Sequence, residues 1–286
     1  MIRIGVIGYG YWGPNLVRNC YEAPGAEVAC VSDLRADRLA LLSSRYPTIK
    51  TTQNFRELIE DPTIDAVAIA TPVSPHYDLA LRALQEGKHV LVEKHLASDT
   101  DQVQRLMDLA QKRNLVLMVD HTFVYTGAVR KIRELVDSGT LGEIYYYDSV
   151  RVNLGLFQHD VNVLRDLAVP TCPSLTPCCR SGRPESPVPH SATYPDGTEN
   201  IAHLTWFCEG SQIAHTHANW LALVELRRTL IGASRKMIVY DDLESEKITL
   251  NNHQNPGKLY QMLVGLPHRK HAAAANRRNG GAPSRN

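Results

Sequence analysis

Apolar residues in the first part of the chain come in short runs: "IRIGVI", "AEVACVSD", "DAVAIATP", "HVLVEKH" and "LVLMVDHTF". Runs of this kind fit strands covered on both faces, as in a parallel sheet. Between them stand "PNLVRNCYEA", "PHYDLALRALQEGK" and "SDTDQVQRLMDLAQKRN", whose apolar positions recur at helical spacing. Strands alternating with helices of this length predict a doubly wound parallel sheet. The pattern changes near Thr122. A helix, "GAVRKIRELVDSG", closes on Gly139, and "EIYYYDSVRVNL", "ENIAHLTWFCEG", "SQIAHTHANWLAL", "ELRRTLIGASRKMIVYDDL" and "EKITLNN" follow as strands rich in β formers. The fold class expected is therefore α/β: a parallel-sheet domain over 1–121 and an α+β domain with an open, mostly antiparallel sheet over 122–265.

Composition changes this picture little. The 286 residues suffice for two domains, and 43% hydrophobic with 21% charged residues is globular usage. A net charge of +1 gives no general attraction to nucleic acid or membrane. No apolar run reaches the roughly 20 residues that span a bilayer. "MIRIGVIGYG" lacks the layout of a signal peptide, so a cytoplasmic location is expected. A chain of this size needs no disulfide staples, and Cys20, Cys30 and Cys208 read as buried free thiols.

The first strand runs into Gly8, Gly10 and Gly13, a helix follows with Pro14 in its first turn, and the second strand ends at Asp33, twenty residues past Gly13. This is the dinucleotide-binding spacing in its required strand–loop–helix–strand context. Gly8 permits the turn, Gly10 lets backbone approach a pyrophosphate, and Gly13 allows helix and strand to pack. The helix N-terminus offers amides and a positive dipole end. Asp33 would accept from ribose hydroxyls, favouring NAD over NADP, and Arg35 weakens that preference. Thr71-Pro72, Glu93-Lys94 and Asp120-His121 end later strands, so one crevice collects them.

"GVIGYGYWG", "IATPVSPHYDLALRALQEGKHVLVEKH" and "GAVRKIRELVDSGTLGEI" together resemble the Gfo/Idh/MocA oxidoreductases, over 1–169 and again over 199–266. The resemblance implies a Rossmann domain, an NAD(P) cofactor, oligomerisation through the second sheet, and a catalytic lysine at Lys94 beside Glu93. His95 stands where the family has proline. Tyr11 and Trp12 belong to the glycine loop, and Thr71, Pro72 and His76 match the family's Thr-Pro-x-x-x-His near the nicotinamide. "VNLGLFQHDVNVL" resembles the branch that oxidises nucleotide-activated amino-sugar acids at the sugar 3-hydroxyl. On this reading Asp166 flanks the reacting hydroxyl, and a partly buried Lys94 with a lowered pKa takes part in proton transfer. Asn153, His159, Asn162 and Asn219 are candidates to line a sugar site, and Arg227 or Arg228 to meet phosphate or carboxylate. Each could equally be an exposed polar strand residue. Arg165 replaces a tryptophan usual in this branch.

One stretch breaks the pattern. Residues 170–189 hold six of the sixteen prolines and three of the six cysteines. The resemblance places the family's acid/base histidine at Pro170, which has no titratable group. Codons GTC CAC GAC CTG TCC CTC encode Val-His-Asp-Leu-Ser-Leu; losing the A of CAC turns them into Val-Pro-Thr-Cys-Pro-Ser, which is Val169 to Ser174. An inserted C in codons for Gly-Tyr-Arg-Thr-Gly-Asn-Met likewise yields "GLPHRKH", residues 265–271. Segments 170–195 and 266–286 are therefore read as frame-slipped text. Two other readings, a zinc site and a Pro-rich recognition loop, are set aside; no pair among Cys172, Cys178 and Cys179 has CxxC spacing, and no metal is expected.

The function expected is an NAD-dependent oxidoreductase acting on a secondary hydroxyl of a sugar or nucleotide sugar, impaired in this copy by loss of the histidine. A non-catalytic NAD(H)-binding module is the rival, and a reductase working in the opposite direction is the third reading. Partners expected are a small sugar substrate and further copies of the chain.

Overall fold

Five apolar runs and one short polar segment form six parallel strands. The computed structural model describes residues 1–154, 162–168, 190–193, 199–208 and 212–252. In chain order the first part holds β1 (Ile2–Ile7), α1 (Gly13–Glu22), β2 (Ala26–Ser32), α2 (Ala36–Arg45), β3 (Lys50–Thr52), α3 (Phe55–Glu60), β4 (Ala66–Ile69), α4 (His76–Gln85), β5 (His89–Glu93), α5 (Thr100–Lys112) and β6 (Leu117–Asp120). The sheet order is β3-β2-β1-β4-β5-β6. Strand order reverses between β1 and β4, which opens a crevice at their carboxyl ends.

Alternation sorts the side chains. Val6 and Ala68 pack with Leu16 and Val17 of α1 and Leu42 of α2. Ile7, Val67 and Ile69 pack with Leu58 of α3, Leu79 and Leu84 of α4, and Leu106 of α5. Neighbouring strand residues thus face opposite cores, as a strand's period of two requires. The segment 34–64, which no sequence pattern assigned, contributes α2, β3 and α3; the helices are short, and three-residue β3 leaves no periodicity to read.

A 3-10 turn (Thr122–Tyr125) leads into α6 (Gly127–Asp137), capped by Thr126, whose Oγ1 accepts from Val129 N at 3.4 Å. Then come β7 (Ile144–Val152), a π-helical turn (Leu164–Ala168), β8 (His190–Thr193), β9 (Glu199–Phe207), β10 (Ile213–Asn219), β11 (Leu226–Ala233), β12 (Lys236–Asp241) and β13 (Ile248–Asn252). The seven-stranded order is β13-β12-β11-β7-β10-β9-β8, and only β7 with β10 is parallel. One face buries Tyr147, Leu204, Trp206, Trp220 and Ile231 against Ile132 of α6 and Leu167 of the π turn. The other carries His203 and His217, their rings stacked 4.2 Å apart.

Of the cysteines, Cys20 and Cys30 are free thiols, and burial raises the pKa of both. Cys208 departs from expectation: it is disulfide-bonded. A sufficient core makes a disulfide unnecessary, but does not prevent one where two cysteines meet. His159 and Pro170 lie outside the described residues.

Candidate active site

The glycine loop is built on contacts that only glycine allows. Gly8 has φ +98°, and a Cβ there would stand 2.6 Å from Ala70 O. A Cβ on Gly13 would stand 2.2 Å from Gly8 O, so the start of α1 closes directly onto the turn. Gly10 differs, since nothing lies within 4 Å of its virtual Cβ. The amides of Gly10, Tyr11 and Trp12 donate to no group among the described residues. Trp12 occupies the N-cap of α1 with no side-chain cap, and its ring stacks on that of Tyr11, which is 86% exposed. Open space, free amides and a helix N-terminus suit a pyrophosphate.

Asp33 ties this loop to β2. Its Oδ2 accepts from Tyr9 N at 2.7 Å and its Oδ1 from Arg35 N at 2.8 Å. Each carboxylate oxygen keeps a second lone pair for a ribose hydroxyl. The Arg35 side chain turns to Asp37, with Nη2 2.6 Å from Oδ2, and this pairing holds the Asp37 carboxyl below its usual range.

His76 is fully buried, with ring nitrogens 2.6 Å from His95 O and 2.9 Å from Thr71 O. It joins the turn after β4 to the turn after β5. The side chain is therefore a brace between two strand exits and faces no solvent. Thr71 Oγ1 donates to Pro72 O at 3.1 Å.

Beyond that brace, Lys94 Nζ reaches across to the second domain, 3.0 Å from Asp166 Oδ1. The pair is half-enclosed, with side-chain exposures of 32% and 17%. Asp166 sits in the π turn, where Asn162 Oδ1 accepts from Arg165 N at 3.0 Å. Its second oxygen accepts from the indole N–H of buried Trp220 at 3.2 Å. His95 Nε2 meets Arg165 O, and burial pushes the imidazole pKa down. The Lys94–His95 peptide bond is cis.

Glu93 lies beside Asp120 in the β5–β6 register. Burial first, then hydrogen bonding and repulsion from Asp120, push the Glu93 carboxyl up to about 8. With its pKa so raised, the Glu93 carboxyl keeps its proton near neutrality.

The remaining sugar-site candidates scatter. Asn162 Nδ2 donates to Glu199 Oε2, and Asn219 Oδ1 accepts from Leu221 N, so both support loops. Asn153 Oδ1 is buried without a partner. Arg227 lies on the covered face of the second sheet, whereas Arg228 lies on the other and pairs with Asp241 at 2.9 Å. Sequence reasoning assigned no role to Trp220 or Arg151 and gave Asp120 only a place in the crevice. Trp220 follows the named Asn219 directly, but a lone tryptophan after a strand reads as core.

Residues 2–121 match the oxidoreductase family with an NAD-binding Rossmann fold. In that segment the chain is similar to the Gfo/Idh/MocA oxidoreductases. Among curated relatives, the chain is 29% identical to myo-inositol 2-dehydrogenase of Thermotoga maritima over 180 residues, covering 57% of this chain and 54% of that one. It is 34% identical to dTDP-3,4-didehydro-2,6-dideoxy-alpha-D-glucose 3-reductase of Actinomadura kijaniata over 144 residues, covering 50% and 43%. The chain spans about half the length of these relatives. The solved UDP-N-acetylglucosamine 3-dehydrogenase of Acidithiobacillus ferrooxidans superposes with TM-score 0.73 at 25% identity, covering 84% of this chain and 76% of that one. Among the described residues, no group of His, Cys, Asp and Glu side chains could hold a metal ion, and no helix is long and apolar enough to cross a membrane.

Proposed function

We propose that this chain is a Gfo/Idh/MocA-type, NAD-dependent oxidoreductase acting on a secondary hydroxyl of a sugar or nucleotide sugar. The observation that carries the reading is the Lys94–Asp166 pair, held 3.0 Å apart at the carboxyl end of β5, one brace away from the glycine loop. Gly8, Gly10 and Gly13 would hold the pyrophosphate and Asp33 the adenosine ribose. The bound nicotinamide would supply the hydride acceptor. Lys94 Nζ would orient the sugar hydroxyl, and its proton would pass to the Lys94–Asp166 pair. Trp220 would keep Asp166 turned toward the lysine, and the proton held by Glu93 would limit negative charge beneath it.

The related 3-reductase and 3-dehydrogenase both act at a sugar C3, which supports the nucleotide-sugar branch. We also propose that this copy is impaired, because Pro170 stands where the family's acid/base histidine belongs, and that copies associate through the uncovered face of the second sheet. The test is a pair of measurements on the purified protein. NADH binding is read by fluorescence, and NAD reduction with sugar and nucleotide-sugar substrates by absorbance. Binding with weak turnover that vanishes in K94A supports the proposal. Binding with no turnover favours the non-catalytic module, and absent NADH binding removes both.

A further inference from the structure

Lys94 and His95 grip the π turn at two consecutive residues. Lys94 Nζ meets Asp166, and His95 Nε2 meets Arg165 O. The backbone of His95 is pinned as well, since its carbonyl oxygen lies 2.6 Å from a ring nitrogen of fully buried His76. A carbonyl oxygen can only accept, so Nε2 carries the hydrogen of the neutral His95 ring. Nδ1 is left with the lone pair, and that atom is buried with no donor in reach. The charged groups that act on the ring are Lys94, Arg165 and Asp166. Burial is the largest influence and lowers the imidazole pKa from 6.5; the Arg165 carbonyl and Asp166 oppose it, while the positive charges of Lys94 and Arg165 add to it. The ring is therefore neutral near pH 7.

Its neighbours are poorly placed to keep a proton. In the ion pair Lys94 is an ammonium with no lone pair. Asp166 has both oxygens engaged, Oδ1 by Lys94 and Oδ2 by the Trp220 indole. A proton delivered to this pair has to move on. His95, the residue next to the lysine, offers an unclaimed lone pair on the type of base best matched to neutral pH. A buried acceptor without a donor is costly, and the arrival of a proton relieves it.

We propose that His95 Nδ1 is the final acceptor of the proton that leaves the sugar hydroxyl. The inference rests on the oxidoreductase reading and names where its proton goes. As hydride passes from the carbinol carbon to bound NAD, the O–H bond breaks and the C=O bond forms. The proton crosses the Lys94–Asp166 pair, which ends as it began, and an N–H bond forms at Nδ1. The imidazolium later gives that proton to water. His95 thus supplies a titratable group that Pro170 lacks.

The test uses the full-length protein. Nitrogen NMR of histidine-labelled protein near neutrality should show, in the signals that H95Q removes, a ring with hydrogen on Nε2 and none on Nδ1. The opposite tautomer, or an imidazolium, overturns the proposal without any turnover being measured. Turnover of UDP-N-acetylglucosamine and myo-inositol with NAD is then followed by absorbance. H95Q keeps a donor for Arg165 O but offers no base, so kcat should fall about 10²–10⁴-fold while KM and NADH affinity stay near those of the parent. The parent's kcat should drop as pH falls below 6.5, where the ring is already protonated, and H95Q should lose that acid limb. Added imidazole should restore turnover to H95G, which repair of a purely structural role would not do. H95P is the second variant should H95Q not fold, and it should be equally slow. An active parent whose H95Q and H95P variants match it in kcat and pH profile overturns the proton acceptor alone. A parent that binds NADH but turns over neither substrate, or fails to bind NADH, removes the oxidoreductase reading and the acceptor with it.

Discussion

The two glycines that bracket Tyr11 and Trp12 should fail in opposite ways when changed to alanine. In G13A the new methyl would lie 2.2 Å from Gly8 O and 3.0 Å from its carbon, so backbone on both sides must part by about 1 Å to reach ordinary contact. Overpacking of this kind costs about 1–3 kcal/mol. The preference of a helix for alanine over glycine returns at most about 1 kcal/mol at this first helical position. A net loss of about 1–2 kcal/mol should lower Tm by roughly 2–8 °C for a chain of this size. In G10A the methyl meets nothing within 4 Å, and Gly10 is not among the glycines at positive φ. The fold should therefore be unharmed, or gain about 0.4–1 kcal/mol from the less flexible unfolded chain. NADH affinity should nevertheless fall at least about tenfold, because the methyl fills the space where the pyrophosphate approaches backbone. Thermal melts by circular dichroism and NADH titration by fluorescence separate the two effects. G10A with unchanged NADH affinity would show that Gly10 does not face the phosphates. G13A melting with the parent would show that α1 does not close on the turn as described.

Three further outcomes are expected. W220F keeps the core filled but removes one donor to Asp166, so stability should fall by about 1–3 kcal/mol; turnover should fall with NADH affinity intact, and unchanged turnover would show that the indole does not position the carboxylate. Glu93 has a folded pKa raised to about 8 from its ordinary 4.5, so its proton stabilises the native state fully below about pH 4.5 and that contribution disappears as pH rises through 8. E93Q should flatten the decline of the urea midpoint between those values, and parallel profiles for parent and variant would contradict the raised Glu93 pKa. H76L strips the buried ring nitrogens from Thr71 O and His95 O, which should cost about 2 kcal/mol or more in urea unfolding and displace Lys94 enough to abolish turnover; a variant as stable as the parent would remove the brace.

The parallel sheet was legible because five of its six strands are apolar runs alternating with helices, and the dinucleotide loop because its function demands fixed glycine spacing. What stayed hidden was tertiary. β3 is three residues long and holds its place by pairing with β2, so nothing local marks it. Asp33 could be read as a ribose ligand from its spacing, yet its bond to Tyr9 N, which locks the loop it serves, depends on the β1–β2 register. His76 could be placed near the crevice by motif, but a helix-start histidine carries no sign that it will be sealed between two carbonyls. Arg151 and Arg227 are 76 residues apart in sequence, and only the pairing of β7 with β11 sets them face to face. The disulfide at Cys208 is a similar case, since a residue's redox state depends on which cysteine the fold brings to it.

The two halves of the site also differ in what they depend on. The dinucleotide loop, Asp33 and the His76 brace all lie within the first 95 residues, on a sheet with helices on both faces. The proton-handling pair does not: Lys94 comes from β5, Asp166 from a π turn, and the indole that fixes Asp166 from the end of β10. Damage to the second domain should therefore strip away turnover before it touches cofactor binding. Such a chain would keep a working dinucleotide cradle after its chemistry had gone, so NADH affinity alone is no measure of catalytic competence here.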